Sequence, residues 1–118
     1  MATNKNDILD RVFKTGVYRS NIVSKTLSPS MDIQVASNFE RLLFDLLNND
    51  SKEVGKLMKT LSDKGHFNVE KRILSSISRD FASGAVSDEE TVATINHFFK
   101  EREIILCPHS AIGVKVGK

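Results

Sequence analysis

Three short stretches of this sequence set hydroxyls, amides and a titratable group beside a backbone turn: Thr26-Leu27-Ser28-Pro29-Ser30-Met31-Asp32, Cys107-Pro108-His109-Ser110-Ala111, and Ala2-Thr3-Asn4-Lys5-Asn6-Asp7. Groups of this kind bind polar small molecules by hydrogen bonds rather than by bulk burial. In an open α/β sheet, ligands sit just beyond the carboxyl ends of the strands, so the loops that follow strands are where such groups acquire a function. The first two stretches each follow a run with strand character, and the third joins them if another strand precedes it. A second role is open to all three, because Ser, Thr, Asn and Asp ahead of a helix commonly cap it. Asp32 and Arg41 read equally as a solvated ion pair.

Other chemistries find little support. His66, His97, Cys107 and His109 have no spacing that puts two ligands on one helix face or in a tight knuckle, so no metal site is expected. Cys107 and His109 lie two residues apart with no third group to orient the imidazole, which argues against a nucleophile and its base. The glycines are scattered, and none forms a phosphate-cradling loop ahead of a helix. Basic residues are not interleaved with aromatics, Tyr18 being the one tyrosine and tryptophan being absent, so a nucleic-acid partner is not expected.

The elements that must position these loops follow from periodicity. Ile8, Leu9, Val12 and Phe13 make one stripe of a short helix over 6–15, with Asn6 or Asp7 as its cap and Gly16 as its left-handed stop. The β-branched run Ser20 to Leu27 predicts a strand closed by Ser28-Pro29-Ser30. A core-facing helix is expected over 31–47, its apolar residues Phe39, Leu42, Leu43, Leu46 and Leu47 preceded by Ile33 and Val35. Ser51 opens another, with Val54, Leu57, Met58 and Leu61 on one face before Gly65. A fourth carries Val69, Ile73, Leu74, Ile77 and Phe81.

Ser87-Asp88-Glu89-Glu90 is a capping box opening a fifth helix, whose expected inner face is Val92, Ile95, Phe98 and Phe99. Glu103 to Cys107, apolar on consecutive positions and closed by Pro108, predicts a strand buried on both faces. The tail from Ala111 to Lys118 fits a helix start or a strand. Two strands separated by a helical block predict a mostly helical slice of a larger α/β sheet.

With 118 residues, 40% of them hydrophobic, the chain suffices for one compact domain. Its formal charge of +2, with both signs interspersed, points to neither nucleic acid nor membrane. No apolar run approaches the ~20 residues that span a bilayer, and the first residues carry no apolar signal core. A single cysteine fits a reducing compartment, so a cytoplasmic location is expected.

Several of these segments, in order, resemble one family. Ala2-Thr3-Asn4-Lys5-Asn6-Asp7-Ile8-Leu9, Ser28-Pro29-Ser30-Met31-Asp32-Ile33-Gln34 and Ser37-Asn38-Phe39-Glu40-Arg41-Leu42-Leu43-Phe44 look like consecutive signature segments of the threonine synthases. Ser87-Asp88-Glu89-Glu90-Thr91 and Cys107-Pro108-His109-Ser110-Ala111-Ile112-Gly113 are similar to later ones, with Cys107 standing where the family usually has Asp and Ser110 where it has Thr. The resemblance covers nearly the whole chain and is least distinctive over 48–81.

What the resemblance implies is a lyase that uses pyridoxal phosphate to convert O-phospho-L-homoserine and water into L-threonine and phosphate. The fold implied is a tryptophan-synthase-β-like α/β sheet domain of the pyridoxal-phosphate enzymes, with 1–47 and 87–118 from the cofactor domain and 48–86 a helical insertion of the bacterial and fungal type. Cofactor chemistry needs a lysine for the aldehyde, a glycine-rich loop for the phosphate and a partner for the pyridine nitrogen. The family's Schiff-base lysine and glycine loop are expected to lie outside this chain, which therefore carries no catalytic residue, is not expected to hold the cofactor by itself, and is expected to be an inactive fragment. Ser110 is the implied partner of the pyridine nitrogen. Thr3, Asn4, Asn6, Ser28, Ser30, Asp32 and Arg41 are the implied substrate-side residues. The alternative reading is a non-catalytic helical binding module or a naturally truncated relative. A slice through a parallel sheet would expose strand edges and apolar faces, so marginal stability or self-association is expected.

Overall fold

A computed structural model describes residues 1–118. Along the chain it places β1 (Ala2–Thr3), α1 (Ile8–Thr15), β2 (Val17–Arg19), a 3₁₀ turn (Pro29–Met31), α2 (Ser37–Leu46), α3 (Ser51–Lys64), β3 (His66–Asn68), α4 (Lys71–Asp80), β4 (Gly84–Ala85), α5 (Asp88–Arg102) and α6 (Pro108–Gly117). The fold is mostly helical with two small sheets: β1 runs parallel to β4, pairing Ala2 with Gly84, and β2 runs antiparallel to β3, pairing Tyr18 with Phe67.

The core lies where α1, α2, α3 and α4 meet over β2 and β3. Ile8, Leu9, Val12 and Phe13 on α1 meet Phe39 and Leu43 on α2, Leu61 on α3, and Ile73 and Ile77 on α4. Each such side chain contributes about 1.5–3 kcal/mol when fully buried. At the centre, Tyr18 is stacked between Phe39 and Phe67, with ring centroids 5.4 and 5.0 Å away. α1 ends at Gly16, whose φ of 74° is left-handed and whose N–H reaches the Val12 carbonyl. α3 ends in the same manner at Gly65. α5 and α6 pack together beside β1 and β4, and the methyls of Val116 press against Gly84.

Several expectations are corrected. The strand expected over Ser20 to Leu27 is not one: Ile22 is 93% exposed and finds no packing partner, and the strand near it is the preceding Val17–Arg19. The helix expected from Met31 begins at Ser37, because Pro29–Met31 close a 3₁₀ turn and leave Ile33 and Val35 exposed. Asp50, not Ser51, caps α3, its carboxylate accepting the Lys52 and Glu53 N–H groups. Neither Asn6 nor Asp7 caps α1 with its side chain.

The capping box at Ser87 is present in full. The inner face of α5, however, is Thr91 and Thr94, while Val92 and Phe99 are exposed. The hydroxyls of Thr91 and Thr94 donate to the carbonyls one turn back, at Ser87 and Glu90, which satisfies them at the buried face. Glu103 to Cys107 forms no strand: Glu103 takes a left-handed φ of 56° after α5, and Ile104 and Ile105 have no neighbouring strand to bury them. The undecided tail is helical, as α6. The short strands β1, β3 and β4 carry too few residues to have shown a period.

Candidate functional site

The first two polar loops of the chain converge. Asn4, in the turn between β1 and α1, is 1% exposed, and Ser28 is fully buried opposite it. The Asn4 Nδ2 group lies 2.7 Å from Thr26 Oγ1, 2.7 Å from Asp32 Oδ1 and 2.9 Å from Ser28 Oγ. It has only two hydrogens to share among them. Asn6 Nδ2 donates to Asp32 Oδ1 at 2.9 Å and to the Ser24 carbonyl at 2.8 Å, while its Oδ1 accepts the Ser24 N–H at 2.8 Å. Thr26 closes the cluster, with its hydroxyl on Asp32 Oδ1 at 2.7 Å and its N–H on Oδ2 at 3.0 Å.

These bonds replace a strand ladder. The Ser20 N–H still reaches the Gly65 carbonyl at 3.0 Å, but beyond it no neighbouring strand follows, and side chains take three of the backbone N–H groups instead: Gln34 at Asn21, Asn6 at Ser24, Asp32 at Thr26. Burial of the Asp32 carboxyl pushes its pKa up, but the bonds from the Thr26 hydroxyl and N–H and from Asn4 and Asn6 outweigh this and hold it below the usual carboxylate value. No cation takes part in holding the charge. The alternative reading of Asp32 and Arg41 as an ion pair does not hold; Asp32 turns inward to amides and hydroxyls, and Arg41 is in no ion pair.

Of the eight residues singled out from sequence, the structure thus brings together Asn4, Asn6, Ser28 and Asp32. Thr3 is buried nearby in β1, its hydroxyl donating to the Gly84 carbonyl at 3.3 Å. Ser30 is exposed and lines a cavity of about 200 Å³ with Thr3, Asn6, Met31, Ile33 and Asn38, next to the cluster. Arg41 stands apart on α2, exposed above a groove shared with Ser37, Glu40, Phe44 and Ser51. Ser110 is also separate. It is exposed in the first turn of α6, where its N–H reaches Cys107 Sγ at 3.4 Å and its hydroxyl accepts from the thiol at 3.2 Å. Cys107 is therefore the cap of α6, the position where a carboxylate or hydroxyl is usual, and the neighbouring Ser110 hydroxyl and N–H lower its thiol pKa.

Sequence reading missed Thr26, Ser24 and Gln34 as members of the cluster. A local signal was available only for the bond from the Ser28 N–H to the Thr26 hydroxyl, a two-residue spacing typical of Ser and Thr turns; the contacts of Thr26 with Asp32 and Asn4 had none. Gln34 and the Ser24 backbone gave no local sign.

Where a pyridoxal-phosphate cofactor is concerned, the chain supplies one fitting group. The Ser110 hydroxyl is accessible at a helix start and has a proton to donate. Every lysine of the chain is exposed, including Lys115 and Lys118, which line open surface cavities beside α5. No group of three or more His, Cys, Asp or Glu is placed to hold a metal ion, and no helix is long and apolar enough to cross a membrane.

Comparison with known proteins adds to this geometry. No family model matches the chain. It is 44% identical to threonine synthase of Saccharomyces cerevisiae over 97% of its length, and 42% identical to that of Pseudomonas aeruginosa over 100%. Its fold superposes on PLP-bound threonine synthase from Brucella melitensis with a TM-score of 0.93 and 46% identity over 98% of the chain. The chain spans about a quarter of the length of each of these proteins, 25% in all three.

Proposed function

We propose that this chain, a homologue over its whole length of one quarter of threonine synthase, works as part of a pyridoxal-phosphate enzyme that converts O-phospho-L-homoserine and water into L-threonine and phosphate. The observation that carries the reading is that similarity in sequence covers 97% and 100% of the chain in the two relatives, and similarity in fold covers 98% of it. In this reading residues 1–47 and 87–118 belong to the cofactor domain and 48–86 to a helical insertion, and the enzyme is a cytoplasmic one.

Bound cofactor supplies the electron sink for the reaction. Ser110 would hold the cofactor's pyridine nitrogen by donating its hydroxyl proton to it. A neutral hydroxyl leaves that nitrogen less protonated than a carboxylate partner would, so the residue at this position moderates how strongly the ring withdraws electrons. Exposure of Ser110 at the first turn of α6 and its fixed cap support this role. Arg41 offers a planar fork suited to the substrate phosphate or carboxylate, and its lack of an internal partner leaves the fork free. Ser30 offers a hydroxyl at the rim of its cavity. Asn4, Asn6, Ser28 and Asp32 hold the loops behind that rim, and Thr3 ties β1 to β4.

The test uses the complete protein that contains this chain. Release of phosphate from O-phospho-L-homoserine is expected, and Ser110→Ala is expected to weaken pyridoxal-phosphate affinity and to lower turnover. Absence of phosphate release overturns the assignment. Unchanged affinity and turnover in Ser110→Ala removes Ser110 from the ring contact while leaving the enzyme assignment standing.

A further inference from the structure

We infer that Thr26 is a positioning residue: by clamping Asp32 with both its hydroxyl and its N–H, it holds the 24–32 segment against the Asn4–Asn6 turn and so sets where Ser30 stands on the rim of its cavity. The inference rests on the reading of Ser30 as a substrate-side residue.

Thr26 is buried, and its hydroxyl is fully committed. The proton goes to Asp32 Oδ1 at 2.7 Å, and the two lone pairs face the Ser28 N–H at 3.1 Å and Asn4 Nδ2 at 2.7 Å. Ser30 is held from both sides of this one atom. On one side Ser28 is tied to Thr26 directly; on the other, Asp32 is tied to Thr26 through its carboxylate, and the 3₁₀ turn between them is closed by Met31 N–H to Ser28 O at 2.9 Å and Asp32 N–H to Pro29 O at 3.1 Å. Asn6, which shares Asp32 with Thr26, is itself part of the cavity wall. The clamp and the cavity thus have a residue in common.

Beyond Thr26, side-chain bonds alone hold this segment from Asn21 onward: Gln34 at Asn21, Asn6 at Ser24, and Asp88 accepting the Leu27 N–H at 3.1 Å. The chain from 20 to 28 has no ladder, and its apolar side chains Ile22, Val23 and Leu27 point to solvent. The Asp32 charge is compensated by oriented neutral donors alone, a geometry that depends on each donor more steeply than an ion pair does. Deleting the Thr26 hydroxyl removes a donor to the charge and leaves the Ser28 N–H without an acceptor, while the Asn4 amide keeps Asp32 Oδ1 and Ser28 Oγ.

The experiment compares Thr26→Val, which keeps the shape and the N–H but lacks the hydroxyl, with Thr26→Ser, which restores it, in the complete enzyme. Thr26→Val is expected to lower kcat/KM by about tenfold or more, the scale of a lost bond to a charged group, with pyridoxal-phosphate affinity unchanged, and Thr26→Ser is expected to recover most of the loss. Combined with Ser30→Ala, the effects are expected to be non-additive, because Thr26 acts through Ser30. Equal losses in the Val and Ser variants, unchanged kcat/KM in Thr26→Val, or additive effects with Ser30→Ala would each overturn the inference. Should Thr26→Val fail to fold, amide exchange of the unmodified enzyme decides: slow exchange at Ser24, Thr26 and Ser28 is expected, and exchange at the rate of a free peptide overturns it. If the unmodified enzyme releases no phosphate from O-phospho-L-homoserine, the functional reading fails on its own account, and the exchange pattern still tests the clamp.

Discussion

Tyr18 accepts the Ala36 N–H on its phenolic oxygen at 2.9 Å, across 18 residues of chain. The bond joins β2 to the residue that precedes α2, and both partners are buried. Burial raises the pKa of the phenol, which keeps it neutral. Tyr18→Phe preserves the aromatic stack but leaves the Ala36 N–H unsatisfied, so a loss of about 1–3 kcal/mol is expected. Tyr18→Ala empties the centre of the stack and should cost about 3–5 kcal/mol. Urea unfolding of the two variants checks the order.

Acid stability should carry the mark of Asp32. Its folded pKa lies below the unfolded value of about 3.9, so on acidification the unfolded chain takes up the proton first. The stabilisation from this group is complete above that unfolded value and is lost as pH falls through the lower, folded one. The difference in unfolding free energy between the unmodified protein and Asp32→Asn is therefore expected to shrink as pH drops below about 4. A difference that stays constant down to pH 2 would contradict the hydrogen-bond account of the carboxylate.

The two left-handed glycines should not respond alike to alanine. Gly16 and Gly65 share nearly the same φ, 74° and 72°, so both variants bear a left-handed cost of about 1–2 kcal/mol. At Gly16 the added methyl also meets Leu74 Cδ2 at 3.2 Å, whereas nothing lies within 4 Å at Gly65. Gly16→Ala is expected to be the more destabilising of the pair in denaturant titrations.

Ser87→Ala removes the acceptor for the Glu90 N–H and half of the reciprocal cap on α5. A loss of about 1 kcal/mol is expected. Ser87→Asp, which keeps an acceptor at a helix start, should retain most of the stability. Thermal unfolding followed by circular dichroism distinguishes them.

How far the sequence could be read depended on the range of the interactions. Helices announced by stripes of four or five apolar residues, such as Val54, Leu57, Met58 and Leu61, formed where expected, because that signal is local. The strand forecast at Ser20 to Leu27 failed because β-branched residues report only a fitness for extended backbone; whether a ladder forms depends on a partner, and here the partners are the side chains of Asn6, Asp32 and Gln34. The polar loops were legible as a set, and four of the residues chosen from them do meet. That Thr26 rather than Ser30 sits at the centre followed from packing across 22 residues to Asn4, which no local pattern encodes. The inner face of α5 was misjudged for a related reason: Thr91 and Thr94 are buried with their hydroxyls satisfied by their own helix, so their polarity was a poor guide to which side faced inward.

The parallel pairing of β1 with β4 bears on the order in which the molecule assembles. Thr3 and Gly84 are 81 residues apart, and the entropy of closing so long a span is repaid by only two residue pairs of ladder. By contact order such a contact is a late one, after the shorter-range pairing of β2 with β3 and the docking of α1 on α4 have brought the two ends near. Since Val116 rests on Gly84, the seating of α6 waits on the same closure, and the Ser110 turn reaches its final place among the last events of folding.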